Sequence, residues 1–231
     1  VAPDGRSLYP WLLRTAEDLA RFYLETQPEE YFFQEWVEGR SFYLLFHMPR
    51  EGQPTIYSQE NLAQQPGGKS IVLARSAKLH LRSEAGRWAD ALRAAGFFGL
   101  VMIEVRERRG EYVLIEANPR LWGPLQLCVD GAPELLRRYI AEYTGVPMPV
   151  TIGPRPGPVH YLWWGGAESA APVWHGRTPW FPRFTLWRHL RSDVFLRPDS
   201  WSHFFHERKE LRPTSAAPFP KDTVLIPTPY A

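Results

Sequence analysis

Two glutamates at strand ends, with an asparagine and an arginine close behind the second, are the residues of this chain best suited to chemistry. Glu104 lies in the apolar run Leu100 to Val105 (LVMIEV). Glu116 closes the run Tyr112 to Ile115 and is followed by Ala117, Asn118, Pro119 and Arg120. A carboxylate set among apolar residues is costly unless it is paired, and two neighbouring carboxylates repel unless they share a proton or a cation. A turn at Arg108 to Gly110 joins the runs into a hairpin, which brings Glu104 and Glu116 near one another. Asn118 adds a neutral oxygen, so the set suits a hard divalent ion such as Mg²⁺ held beside phosphates. Arg120 suits the phosphates themselves. Taken singly, each glutamate has a plainer reading as a satisfied strand-edge carboxylate. As an acid–base pair for glycoside hydrolysis, the two would leave Asn118 and Arg120 idle.

The elements that must position these residues can be read from pattern. Thr15 caps a helix answered by Asp18, with Leu19, Phe22 and Tyr23 on one face, and the spacing predicts a helix to about Thr26 before Pro28. Tyr31 to Val37 is strand-like, Ser41 to Met48 is an almost continuously apolar strand, and Thr55 to Gln59 is a third. Gln64 to Ser70 reads as a loop leading into a strand at Ile71 to Ala74. Glu84 to Ala95 has helical spacing and ends at Gly96. Leu135 to Thr144 is an amphipathic helix closed by Gly145 and Pro147. Residues 150–231 hold more than half of the prolines and Trp163, Trp164, Trp174, Trp180, Trp187 and Trp201. With one helix candidate, Thr185 to Arg191, this stretch reads as an irregular tail that packs on the main domain and buries its aromatic rings. Pro213 to Ala231 reads as extended or disordered.

A chain of 231 residues with 44% hydrophobic and 23% charged residues is ordinary for a globular protein. The net charge of +2 and the lack of a basic run give no support to nucleic-acid binding. No apolar segment is long enough to span a bilayer, and the first residues lack the pattern of a signal peptide. The single cysteine, Cys128, excludes an internal disulfide, fits a reducing cytoplasm, and sits in an apolar setting that points to packing. The chain begins with Val1 rather than Met and reads as a fragment or a trimmed product. His203 and His206 have a spacing that can serve a metal on a helix, but their aromatic neighbours point to packing. His160, His175, His189, Asp193 and Glu207 are the other titratable groups of the tail. A sugar-stacking face built from Trp163, Trp164, Trp174 and Trp180 is the alternative to core packing. Nothing resembles a serine or cysteine nucleophile motif.

The order GLVMIEV followed by VLIEANPRLWG resembles the closing half of the ATP-grasp domain, in particular its carboxylate–amine ligases, over roughly residues 10–145. The resemblance implies an α+β fold. An antiparallel sheet with flanking helices would form the carboxy-terminal lobe in residues 1–149, with residues 150–231 as an extension packed on it. It implies that Glu104, Glu116 and Asn118 hold the Mg²⁺ that bridges ATP phosphates, and that Arg120 contacts phosphate or the acyl phosphate. It places Glu35, Trp36, Val37 and Glu38 in the hinge segment whose backbone meets adenine, and Lys69 in a glycine-containing loop near the phosphates. Two positions depart from the family pattern: Ser41, or Glu38, stands where an acid for the ribose is usual, and in Val1-Ala2-Pro3 an alanine occupies the place of a phosphate-binding lysine. The activity implied is ATP-dependent joining of a small-molecule carboxylate to an amine or a thiol through an acyl phosphate, with ATP and Mg²⁺ required and neither nucleic acid nor membrane as partner. The alternative is an ATP-grasp-like module that binds nucleotide or ligand without turnover, a reading favoured by Ala2 and opposed by the Glu104, Glu116, Asn118 and Arg120 set.

Overall fold

The computed structural model describes residues 10–147 and 157–211. Val1-Ala2-Pro3 and Pro213 to Ala231 therefore lie outside the described residues. The chain divides into two compact units, Val1–Glu38 and Gly39–Ala231.

In the first unit, helix α1 (Ala16–Glu25) begins as its sequence dictates. The Thr15 hydroxyl accepts from the Asp18 amide at 3.1 Å, and the Asp18 carboxylate accepts from the Thr15 amide at 3.0 Å. These reciprocal bonds satisfy donors that a bare helix start would leave open. Phe22 is the buried residue of the helix, and the rings of Trp11, Tyr23, Tyr31 and Phe33 meet it edge-on. Residues 31–37, predicted to be strand-like, are irregular. A strand needs a ladder partner, and the described part of this unit has no other strand. Phe32 and Phe33 are exposed there instead.

The second unit is built on one sheet with strand order β5-β4-β1-β2-β3-β6, with β7 pairing to β2. The strands are β1 (Arg40–Met48), β2 (Thr55–Gln64), β3 (Ile71–Ser76), β4 (Gly99–Arg108), β5 (Glu111–Asn118), β6 (His160–Leu162) and β7 (Val173–Trp174). Every pairing between them is antiparallel. β1 is central, which explains its unbroken apolar run, because both of its faces are covered. Phe42, Leu44, Phe46 and Met48 meet helix α2 (Ser83–Ala94) in one core with Val101, Ile103 and Val105. Tyr43 and Leu45 face the other core with Met102, Trp122, Leu127, Cys128 and Leu135, under α3 (Leu125–Gly131) and α4 (Pro133–Thr144). Cys128 is fully buried, and burial pushes its thiol up to about 12, as a packing role requires. Gly145 ends α4 in the left-handed conformation, as its position predicts. The seven residues of α3 are too few to show helical period and were not anticipated from sequence.

β2 runs five residues beyond its predicted end at Gln59. Its continuation is polar, and Glu60, Asn61 and Gln64 are buried along with Ser58 and Gln59. The carboxy-terminal segment packs on the sheet and is more regular than expected. It supplies β6, β7, α5 (Trp164–Ser169), α6 (Pro182–Arg188) and α7 (Trp201–Glu210). It is tied down by Trp163 Nε1 donating to Glu207 at 2.6 Å, by the Trp164 amide donating to Asp193 at 2.7 Å, and by an Arg197–Asp130 ion pair. The expectation that its rings are buried fails for half of them: Trp180 is 95% exposed, Trp187 60% and Trp201 58%. No helix among the described residues is long and apolar enough to cross a membrane.

Candidate functional site

The β4–β5 hairpin turns at Arg109 and Gly110, both at positive φ (54° and 86°). This is the backbone that matches the twist of the flanking strands in a two-residue turn. From the turn the register runs Arg108↔Glu111, Glu107↔Tyr112, Arg106↔Val113 and Val105↔Leu114, and then slips by one residue to Glu104↔Glu116, Ile103↔Ala117 and Met102↔Asn118. Ile115 is the extra residue of a β-bulge. Side chains alternate along a strand, so an unbulged β5 would place Glu116 on the face of Tyr112 and Val105, away from Glu104. The bulge turns it over. Glu104, Glu116 and Asn118 thereby share the face that carries Tyr43 and Met102.

On that face Glu104 is 8% exposed. Its Oε1 accepts from the Ser41 hydroxyl at 3.1 Å and lies 3.3 Å from Arg106 Nε, so both contacts fall on one oxygen. Burial raises its pKa, and the pull of Arg106 and Ser41 does not fully offset this. Ser41 in turn accepts from Asn61 Nδ2 at 2.9 Å, and Asn61 Oδ1 accepts from Gln59 Nε2 at 2.8 Å. The polar end of β2 therefore serves to hold the Glu104 carboxylate. Ser41, expected in the place of a ribose-binding acid, is fully buried and committed to this chain. Burial also raises the Tyr43 hydroxyl pKa, with Glu104 and Glu116 adding and Arg106 and Arg120 opposing. Tyr43 thus sits in the field of the whole constellation.

Glu116 is exposed, and Asn118 Nδ2 donates to its Oε1 at 2.6 Å. Ligation of a cation by Asn118 would require that amide to turn its oxygen outward. Two carboxylates and one amide oxygen form a hard donor set that fits Mg²⁺, whose remaining positions are ordinarily filled by water and phosphate oxygens. Among the described residues, no group of three or more His, Cys, Asp or Glu could hold a metal ion. Arg120 is exposed and donates to the Leu121 carbonyl at 3.1 Å. Lys69 is exposed on the loop that follows β2, where Gly67 and Gly68 both have positive φ. Glu35 to Glu38 belong to the first unit, with Val37 buried and Trp36 half-exposed.

Asn61, Gln59, Tyr43 and Arg106 were not singled out as site residues by sequence, and Ser41 only as a departure at the ribose-binding position. The strand read from sequence stops at Gln59, before Asn61, and only the pairing of β2 with β1 shows that these side chains face an acid. His203 contacts the Phe195 ring, and His206 pairs with Glu210 at 3.0 Å on the surface. Trp163, considered above for sugar stacking, is committed to Glu207.

No protein-family model matches the chain, and no curated protein matches it. Among solved structures it is similar to N5-carboxyaminoimidazole ribonucleotide synthetase from Thermus thermophilus (21% identity, TM-score 0.44, 54% of this chain and 36% of that one). It is also similar to the phosphoribosylaminoimidazole carboxylase ATPase subunit from Aquifex aeolicus (17%, 0.42, 50% and 38%). A third is biotin carboxylase from Campylobacter jejuni, in a beta-gamma-ATP complex (14%, 0.41, 50% and 27%). Each likeness covers about half of this chain. The chain spans less than two-fifths of the length of each of these proteins. What the site does therefore rests on its own residues.

Proposed function

We propose that this chain is the cation- and phosphate-binding part of an ATP-dependent ligase of the ATP-grasp type, which activates a carboxylate as an acyl phosphate and passes it to an amine or a thiol. The observation that carries the reading is the bulge at Ile115, which sets Glu104, Glu116 and Asn118 on one face of the sheet. Among the described residues both contacts of the buried Glu104 carboxylate fall on one oxygen, and with the exposed Glu116 opposite it this is an arrangement that a divalent cation completes.

In this reading Glu104, Glu116 and Asn118 hold Mg²⁺, which when bound neutralises charge on the phosphate oxygens. Ser41 and Arg106 keep Glu104 in one orientation, so little reorganisation is needed when ligand arrives. Arg120, exposed beside Asn118, steadies the phosphoryl group while a carboxylate oxygen of the substrate bonds to the γ-phosphorus and ADP leaves. The incoming amine then bonds to the acyl carbon and phosphate departs, giving an amide. Positioning and charge stabilisation suffice for both steps, in keeping with the lack of a nucleophile motif. Lys69 and the backbone of Glu35, Trp36, Val37 and Glu38 are assigned to the phosphates and the adenine edge on the family resemblance.

Calorimetry with Mg·ATP tests this. Wild-type protein should bind ATP only with Mg²⁺ present, and Glu116→Ala should weaken binding by at least about tenfold. Binding that ignores Mg²⁺, or that survives Glu116→Ala unchanged, overturns the assignment.

A further inference from the structure

A run of hydrogen bonds leads away from Glu104 and ends on the loop that carries Lys69, and its middle member comes from the carboxy-terminal segment. Arg106, which touches Glu104 through Nε, places Nη1 3.1 Å from His175 Nδ1. His175 Nε2 lies 3.0 Å from Gln64 Oε1, and Gln64 Nε2 donates to the Lys69 carbonyl at 2.6 Å. In sequence, His175 is 69 residues from Arg106 and 111 from Gln64.

The chemistry of the two ends fixes the direction of every bond between them. A guanidinium can only donate, so His175 Nδ1 accepts. The ring proton is then on Nε2 and donates to Gln64 Oε1. That orients the Gln64 amide with its nitrogen toward the Lys69 carbonyl, which can only accept. One tautomer and one amide orientation satisfy all four links, and a network satisfied in this way is rigid. Burial, with the Arg106 charge adding to it, lowers the His175 pKa to about 3, so the ring is neutral at ordinary pH as the pattern requires. The backbone holds the ring in place: β7 pairs with β2 through Ala63↔Trp174 and Gln64↔Val173, and the His175 amide donates to the Leu62 carbonyl at 3.0 Å.

We propose that His175 is a positioning residue of the site, holding Arg106 against Glu104 and, through Gln64, setting the loop of residues 66–70 that presents Lys69. This deepens the cation and phosphate reading and rests on it for the nucleotide readout alone. The carboxy-terminal segment then contributes to the site as well as to packing. The cation-binding carboxylate and the glycine-containing loop are mechanically joined, so order at one is felt at the other.

Two variants separate this role from ring packing. His175→Phe keeps the ring and removes both nitrogens, whereas His175→Gln restores an acceptor and a donor on one amide. Amide hydrogen exchange over residues 65–71 is measured in nucleotide-free protein, with β1 amides as the control for global opening. Mg·ATP affinity is measured by calorimetry. H175F should speed loop exchange by about tenfold or more without moving β1, and should weaken Mg·ATP by a similar factor. H175Q should recover both. Wild-type loop exchange in H175F, a change that β1 amides share equally, or failure of H175Q to recover overturns the proposal. If wild-type protein does not bind Mg·ATP, the ligase reading falls, and loop exchange alone decides the role of His175.

Discussion

Glu104 and Glu60 are both buried carboxylates on neighbouring parts of one sheet, and their partners send them to different ends. For Glu60, burial raises the pKa, but Arg40 Nε donates to Oε1 at 2.8 Å and Arg75 Nε to Oε2 at 2.8 Å, and together they leave it below the ordinary 4.5. Both oxygens are taken, so Glu60 knits β1, β2 and β3 together. For Glu104, burial wins over Arg106 and Ser41, and one oxygen carries both contacts. A saturated carboxylate is structural, whereas an unsaturated one can receive an ion. Because the folded-state pKa of Glu60 is depressed, its stabilisation is complete above about 4.5 and is lost as pH falls through the lower folded value. Glu60→Gln should therefore cost about 1–3 kcal/mol in urea unfolding at pH 7. The variant should also lose less stability than wild type between pH 5 and acid, within the window about 4.5 and below. Equal acid sensitivity in the two proteins would remove Glu60 from this role.

At the scale of the element, the hairpin and its bulge decide the geometry. The register gives opposite expectations for two single-residue deletions in β5. Removing Ile115 abolishes the bulge yet leaves Glu116 opposite Glu104 and Asn118 opposite Met102 in a regular ladder. Removing Ala117 keeps Glu116 in place but moves Asn118 opposite Ile103, on the α2 face. Titration with Mn²⁺ as a spectroscopic probe should find cation binding retained without Ile115 and weakened by about tenfold or more without Ala117. The reverse ranking would show that the face-sharing argument is wrong.

At the scale of the molecule, the sheet is finished by residues far along the chain. β6 covers the open edge of β3 through Leu73↔Leu162, Ala74↔Tyr161 and Arg75↔His160, and Tyr161 and Val159 enter the core with Tyr43 and Leu45. A chain ended after residue 149 would expose the β3 edge and the apolar surface of Ile71 and Leu73, a template for association. Size-exclusion chromatography should find that protein aggregated. A monodisperse product with a cooperative melt would show instead that residues 157–211 are dispensable for the fold.

The sequence alone determined the elements whose signals are local. Thr15 with Asp18 begins α1, the apolar run of β1 marks a central strand, Gly145 stops α4, and the acid-bearing runs around Glu104 and Glu116 form a hairpin. It also determined which residue types are available for cation and phosphate chemistry, since Glu, Glu, Asn and Arg at that spacing need no structure to be noticed. Only the tertiary structure decided that Glu104 and Glu116 face the same way, because a bulge is one residue of backbone slip and leaves no periodic trace around Ile115. Only it showed that Ser41, Asn61, Gln59, Arg106 and His175 join one network of contacts around Glu104, because each is defined by partners on other strands, up to 111 residues away in the case of His175 and Gln64. Local propensity marks where a strand such as β1 can form; where it ends, as in β2, and which side chains meet across it depend on pairing between distant segments.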